Sequence, residues 1–379
     1  MNQSPVLATQ QKRHAGALTL TSYLDATWEL PAFYAPVAER SNAISAEYAA
    51  MVDPDGVAIS DRSWLACLEL RGRDRQTFLQ GMISNEVASL TPGQGCRAAM
   101  LSTNGQILAD LSIYALDDRL IVVTDPRCLG RVEETLDKFL ISEDVNIANL
   151  TGKYAVVALN GGGAAAFIQE AFGVEVSEPY GNGVVRDGIM VFRSGLRGLA
   201  SYDLWIPADV APAFWDELLD AGARPVGMEA TEVARVEAGD PAWGAELEST
   251  VLFPEVELGE AISYRKGCYV GQEIIARIRA RGHTNRSLRG ILFEPGNHSL
   301  QPGDLLYPDP DFDDLDADRE IGRITSAAIS PRFGGRLLAL GYVRREHVTA
   351  GSPVICRYAH REAHGVVMVP PFLNTESLD

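Results

Sequence analysis

The stretch Arg265-Lys266-Gly267-Cys268-Tyr269-Val270-Gly271-Gln272-Glu273 constrains this chain more tightly than any other, because it closes a turn and opens a helix in one short run. Its glycines suit a loop with positive φ, and Ile274-Ile275-Ala276-Arg277-Ile278 continues with good helix formers and apolar side chains on one face. Cys268 therefore falls just before a helix N-terminus. The positive end of the helix dipole, with Arg265 and Lys266 alongside, is the setting in which cysteines become reactive. Glu273 lies in the first helical turn, where a carboxylate complements the dipole, and Arg277 is four residues on, within salt-bridge reach.

The rest of the chain alternates between strand and helix patterns. Val57–Ser63 and Ala66–Gly72 read as strands, followed by a capped helix after Asp74 that ends near Gly81. Strand signals return at Gly95–Leu101, Gln106–Tyr114 and Arg119–Thr124, with Asn104-Gly105 as the hairpin turn, and a helix follows from about Gly130 to Leu140. A second block opens on the apolar run Tyr154–Leu159, turns at Asn160-Gly161-Gly162-Gly163 and continues as a helix from Ala164 to about Phe172. Strand, glycines and helix invite a phosphate-loop reading, but both G-x-G-x-x-G and the Walker lysine are missing, so the turn is read as a structural connection. Beyond Gly282, short strand candidates separated by Pro and Gly turns form the pattern of a small antiparallel barrel. The carboxylate run Asp309–Asp318 lacks the glycine and terminal Glu of a calcium loop and reads as a solvated hairpin insertion. The N-terminal residues Met1–Ala17 show no periodicity and are expected to be a mobile extension.

Composition narrows the partners. The 379 residues suggest two or three domains, and 46% hydrophobic content is ample for burial. A net charge of −18 argues against nucleic acid or an anionic membrane surface, since both need a cationic field. The five cysteines, Cys67, Cys96, Cys128, Cys268 and Cys356, are odd in number and form no C-x-x-C pair, so a disulfide framework, a zinc site and a ferredoxin-type cluster are disfavoured. No permanently bound metal is expected. With no long apolar run and no signal-peptide pattern, the expectation is a cytoplasmic protein in a reducing compartment. No histidine spacing reveals the base that a cysteine hydrolase needs.

Lys266-Gly267-Cys268-Tyr269-x-Gly271-Gln272-Glu273 resembles the signature of the YgfZ family of folate-binding proteins, relatives of the glycine cleavage system T-protein that support iron–sulfur cluster assembly or repair. The likeness extends over roughly Ala43 to Met368. It implies an α+β fold: a T-protein-like three-domain ring with ferredoxin-like α/β domains and a C-terminal antiparallel β-barrel. The corresponding boundaries are an N-terminal extension at 1–44, a first α+β domain at 45–150, a second carrying the signature at 151–284, and the barrel at 285–372, with the first two domains open to interleaving.

The same resemblance assigns site residues. Asp110, on the second hairpin strand, matches the T-protein aspartate that faces the reactive nitrogens of folate; Ala109 and Leu199 stand where that family has carboxylates, and Thr231 where it has an arginine. Losing the acidic anchor at Leu199 leaves pteridine donors unpaired at a cost of ~1–3 kcal/mol, so a folate is expected to sit differently or bind more weakly. Arg235 and Glu237 are retained, Tyr264 is an aromatic suited to stacking on a flat ring, and Lys266 and Arg277 are cations suited to the cofactor's carboxylate tail. Tyr269 and Gln272 complete the implied ligand-binding set, with Cys268 and Asp110 as the reactive groups.

The implied function is a tetrahydrofolate-binding protein that assists iron–sulfur enzymes or their assembly proteins through Cys268. Two alternatives stand beside it: an aminomethyltransferase that moves a one-carbon unit from a carrier protein to tetrahydrofolate through Asp110, and a noncatalytic module that presents Cys268 to a partner.

Overall fold

Period-two alternation along Ile107–Ala115 sets the geometry on which the site depends: Ile107, Ala109, Leu111 and Ile113 turn into the core, and Leu108, Asp110 and Ser112 to the opposite, partly open face. The structure, a computed structural model, describes residues 2–24, 27–176, 180–184, 188–193, 201–296, 298–310 and 318–372. The chain forms two units, one from Met1–Leu101, Leu108–Thr231 and Glu260–Val270, the other from Ser102–Ile107, Glu232–Gly259 and Gly271–Asp379.

The first unit contains two main sheets. One has the strand order Gly95–Leu101, Ile107–Ala115, Arg119–Thr124, Ala66–Arg71, Asn146–Asn149. The other runs Asn182–Val184, Met190–Phe192, Ser201–Pro207, Tyr154–Asn160, Ala58–Asp61, Arg224–Pro225, so a strand from before residue 66 is built into the later sheet. Their apolar faces share a core in which Tyr114 of the first sheet stacks on Phe192 of the second, with 4.2 Å between ring centroids. The helix Pro126–Phe139 covers the first sheet's strands with Cys128, Val132 and Leu136, buried at four-residue spacing; the Asp125 side chain caps it by accepting from Arg127 N.

The N-terminus departs from expectation. In place of a mobile extension, Leu7–Arg13 is a helix with Leu7 and Gln10 buried, followed by the antiparallel strands Thr19–Tyr23 and Trp28–Phe33. Two turns are too few to display a periodic apolar face, and beside the buried Val6 and Leu7 the anchors are polar: Gln10 Nε2 donates to Asp61 Oδ2 at 3.3 Å, and Arg13 pairs with Asp216 at 2.9 Å.

In the second unit, six strands close an antiparallel barrel in the order Arg286–Phe293, Arg336–Arg344, Gly322–Ser330, Leu305–Pro308, Pro353–Tyr358, Arg361–Met368. Ile291, Phe293, Leu306, Ile324, Val354, Cys356 and Val367 fill it. Leu305–Pro308 is absent from the sequence reading; four residues ending in Pro carry too little alternation to register as a strand. Of the Asp309–Asp318 run, residues 311–317 lie outside the described residues. Among the described residues, no helix is long and apolar enough to cross a membrane.

The glycine turn of the first unit is a packing device. Gly162 N donates to Asp53 O at 3.0 Å and Gly163 N to Gly56 O at 3.1 Å, so amides that would cradle a phosphate are already taken by the chain's own carbonyls. A Cβ at Gly162 would stand 1.9 Å from Pro54 O. Gly162→Ala is therefore expected to force the two loops apart and destabilise the protein by about 2–3 kcal/mol, measured by thermal or urea denaturation against the wild type; an unchanged midpoint would contradict this close approach.

Candidate functional site

Asp110 lies on the partly open stretch of the sheet face that, further along the strand at Tyr114, packs into the core shared with the second sheet, and its side chain is 27% exposed. The partner is Arg97, on the neighbouring strand Gly95–Leu101 and only 5% exposed. Arg97 Nε donates to Oδ1 at 3.0 Å and to Oδ2 at 3.2 Å, and Nη2 donates to Oδ2 at 2.7 Å. Thr124 Oγ1 donates to the Asp110 carbonyl at 2.9 Å, so the residue is fixed at main chain and side chain alike. Arg97 was not among the expected site residues. Its signal was available, since an Arg and an Asp on facing arms of one hairpin are natural cross-strand partners.

A second arm of the site comes from far along the chain. Within the first unit, Glu260–Val270 runs along the loop that follows the helix Arg75–Gln80: Ser84 Oγ donates to Ala261 O at 2.6 Å, Ser263 N to Ser84 O at 3.0 Å, and Val270 N to Gly81 O at 3.3 Å. Lys266 pins this arrangement. Its Nζ donates to the carbonyls of Gln80, Ile83 and Asn85 at 2.6, 2.7 and 2.6 Å, and lies 5.2 Å from the centre of the Tyr269 ring. Burial pulls the Lys266 pKa down to about 8, while Glu86 and Cys96 pull it upward. Three carbonyl acceptors call for three protons, so the ammonium is the form that satisfies the geometry. Lys266, expected to meet a cofactor's carboxylate, has these donors engaged by backbone instead.

Asn85 joins the two arms. Its Nδ2 donates to Arg97 O at 2.7 Å and to Glu260 O at 2.8 Å, while its own carbonyl accepts from Lys266. Asp110, Arg97, Asn85 and Lys266 thus form one connected polar network in the first unit.

Cys268 is exposed; Cys67, Cys128 and Cys356 are buried and Cys96 is half-buried. Burial pushes Cys96, Cys128 and Cys356 up to about 12 and raises Cys67 as well. The helix after the signature begins at Gln272 with Gly271 as its cap at φ 84°, a left-handed conformation that explains the glycine. Tyr264 is 52% exposed, as a stacking surface needs to be, whereas Tyr269 is buried and pushed up to about 12 by burial and by Tyr264.

The remaining expected residues lie in the second unit. Arg277 pairs with Glu273 at 2.9 Å on the exposed face of the helix Gln272–Arg281, a contact that contributes little to stability. Gln272 opens that helix and is partly exposed. Glu237 is fully buried and accepts a short hydrogen bond from the Ser330 hydroxyl, so it faces a barrel strand and not an open surface. The adjacent Arg235 pairs with the fully buried Glu246 at 2.9 Å and donates to Ser326 Oγ at 2.6 Å. These two positions of the Arg235–Gly239 segment tie the helix Met228–Ala238 to the strand Gly322–Ser330. Leu199, the expected site of the missing anchor, lies outside the described residues. No group of three or more His, Cys, Asp or Glu suited to a metal ion occurs among the described residues.

Two outcomes follow. Lys266→Met is expected to cost about 3 kcal/mol or more, because it strands three carbonyls that a buried cation now serves; hydrogen exchange is expected to rise across 80–94 and 260–270 together. Iodoacetamide on the native protein is expected to label Cys268 well ahead of the other four thiols, read by peptide mass spectrometry, and equal labelling would contradict its exposure.

Comparison with known proteins adds ancestry to this geometry. The GCVT N-terminal domain matches residues 9–266, and the glycine cleavage T-protein C-terminal barrel domain matches residues 286–374. An aminomethyltransferase of Desulfitobacterium hafniense is 25% identical over 358 residues, covering 90% of each chain, and one of Exiguobacterium sibiricum is 26% identical over 330 residues, covering 86% of each. The crystal structure of glycine cleavage system aminomethyltransferase T from Bartonella henselae is similar with a TM-score of 0.84 over 98% of both chains, at 21% identity, a likeness of fold. With the N-terminal domain covering well over half of its length and the barrel domain following it, the chain belongs to the glycine cleavage T-protein family.

Proposed function

We propose that this protein binds a tetrahydrofolate-type ligand through Asp110. The observation that carries the reading is a partly exposed carboxylate held rigid by a buried arginine, where it offers acceptor positions to N–H groups of a flat heterocycle. Tyr264 adds an exposed aromatic ring suited to stacking. The bound folate would supply the nitrogens that accept a one-carbon unit; the chain supplies the acceptor oxygens and the surface that orients the ring.

Two activities fit such a site. Aminomethyl transfer is the better supported by ancestry, since relatives named aminomethyltransferase match this chain over about nine tenths of its length. A role of the YgfZ type, in iron–sulfur cluster assembly or repair, is favoured by one feature: the exposed Cys268 within Lys266-Gly267-Cys268-Tyr269-x-Gly271-Gln272-Glu273. An exposed thiol is a ligand for soft metals and a nucleophile, and aminomethyl transfer through Asp110 has no use for it.

Titration with tetrahydrofolate, followed by intrinsic fluorescence, is expected to show saturable binding that Asp110→Asn weakens by about tenfold, the loss of one good hydrogen bond to a charged acceptor. Absence of binding at high micromolar ligand would remove the reading and leave a noncatalytic module. Tetrahydrofolate-dependent release of ammonia from an aminomethylated carrier protein, abolished by Asp110→Ala and indifferent to Cys268→Ala, would establish the transferase. No such release, with rescue of iron–sulfur enzyme activity in a deletion strain that depends on Cys268, would establish the second activity.

A further inference from the structure

Asp110 does not stand alone on its strand. Arg97 takes one side of the carboxylate through Nε and Nη2, at 2.7 to 3.2 Å, and leaves the solvent-facing edge of a 27% exposed side chain open. The Arg97 side chain is enclosed, at 6% exposed, and the strand that carries it is held through its main-chain carbonyl, which accepts from Asn85, a residue that also binds Glu260 and Lys266. A guanidinium fixed in this way aims both carboxylate oxygens, because its planar fork matches carboxylate geometry in a manner that a lysine's point charge cannot.

Resting on the folate-binding reading, we infer that Arg97 is a positioning residue: it orients the Asp110 carboxylate so that its free edge meets an N–H of the bound heterocycle. The segment Glu260–Val270 takes part through Asn85, so the Lys266 end of the signature supports the ligand indirectly, by holding the residue that holds the acceptor. Arg97 itself makes no contact with the ligand on this account. The consequence is specific: Arg97 matters to binding only while residue 110 carries a carboxylate to be aimed.

The test is a double-mutant cycle on tetrahydrofolate affinity, using the full chain with Arg97→Lys, Arg97→Gln, Asp110→Asn and the Arg97→Gln/Asp110→Asn pair, each first checked by thermal melting. Arg97→Gln is expected to weaken binding about tenfold, Arg97→Lys to recover part of that loss, and Arg97→Gln to change affinity by less than about twofold in the Asp110→Asn background. Equal weakening in both backgrounds would mean a general structural role and overturn the inference. So would native affinity in both Arg97 variants while Asp110→Asn still binds poorly. If Arg97→Gln fails to fold, Arg97→Lys decides the matter, since it keeps the charge and alters only the aim. A wild-type chain that binds no tetrahydrofolate overturns the folate reading itself and this inference with it, an outcome distinct from the other two.

Discussion

One buried ammonium holds the site together. Lys266 is 8% exposed, and a cation so placed must lose its proton or be surrounded by acceptors. Here the acceptors are three main-chain carbonyls from the loop after Arg75–Gln80, at 2.6 to 2.7 Å. This bond set brings together stretches more than 180 residues apart in sequence. It also fixes Asn85, and through Asn85 it reaches Arg97. A loop that would otherwise be free to drift becomes a rigid border to the strand bearing the arginine.

The protein as a whole is acidic, with a net charge of −18, and at this border the cations Arg97 and Lys266 have the carboxylates of Asp110 and Glu86 beside them. Arg97 and Lys266 are both almost completely enclosed, so their charges act at short range with little screening by solvent. The T-protein ancestry explains the scaffold on which this border is mounted, and the exposed thiol nearby in sequence is the feature that ancestry alone leaves without a use.

Much of this was legible from residue order, and the failures have physical causes. The helix after Gly271, the exposure of Cys268, the hairpin at Asn104-Gly105 and most barrel strands follow from local rules of turn chemistry and alternation. The enclosure of Lys266 was not legible, because only tertiary folding delivers the carbonyls that surround it. The burial of Glu237 was hidden for a similar reason: its acceptor role toward Ser330 depends on a barrel strand 93 positions on. The helix Leu7–Arg13 is too short to show apolar spacing, and its attachment to Asp61 is polar and long-range.

The alternation along Ile107–Ala115 has a consequence for how such chains can diverge. Because neighbouring residues face opposite sides, a single inserted or deleted residue between Gly105 and Asp110 would rotate the aspartate into the apolar interior and push a leucine or alanine outward. Length changes in that arm are therefore tolerable only in steps of two. Any descendant that keeps the carboxylate in use is bound to conserve the parity of the hairpin, even where every other position has been replaced.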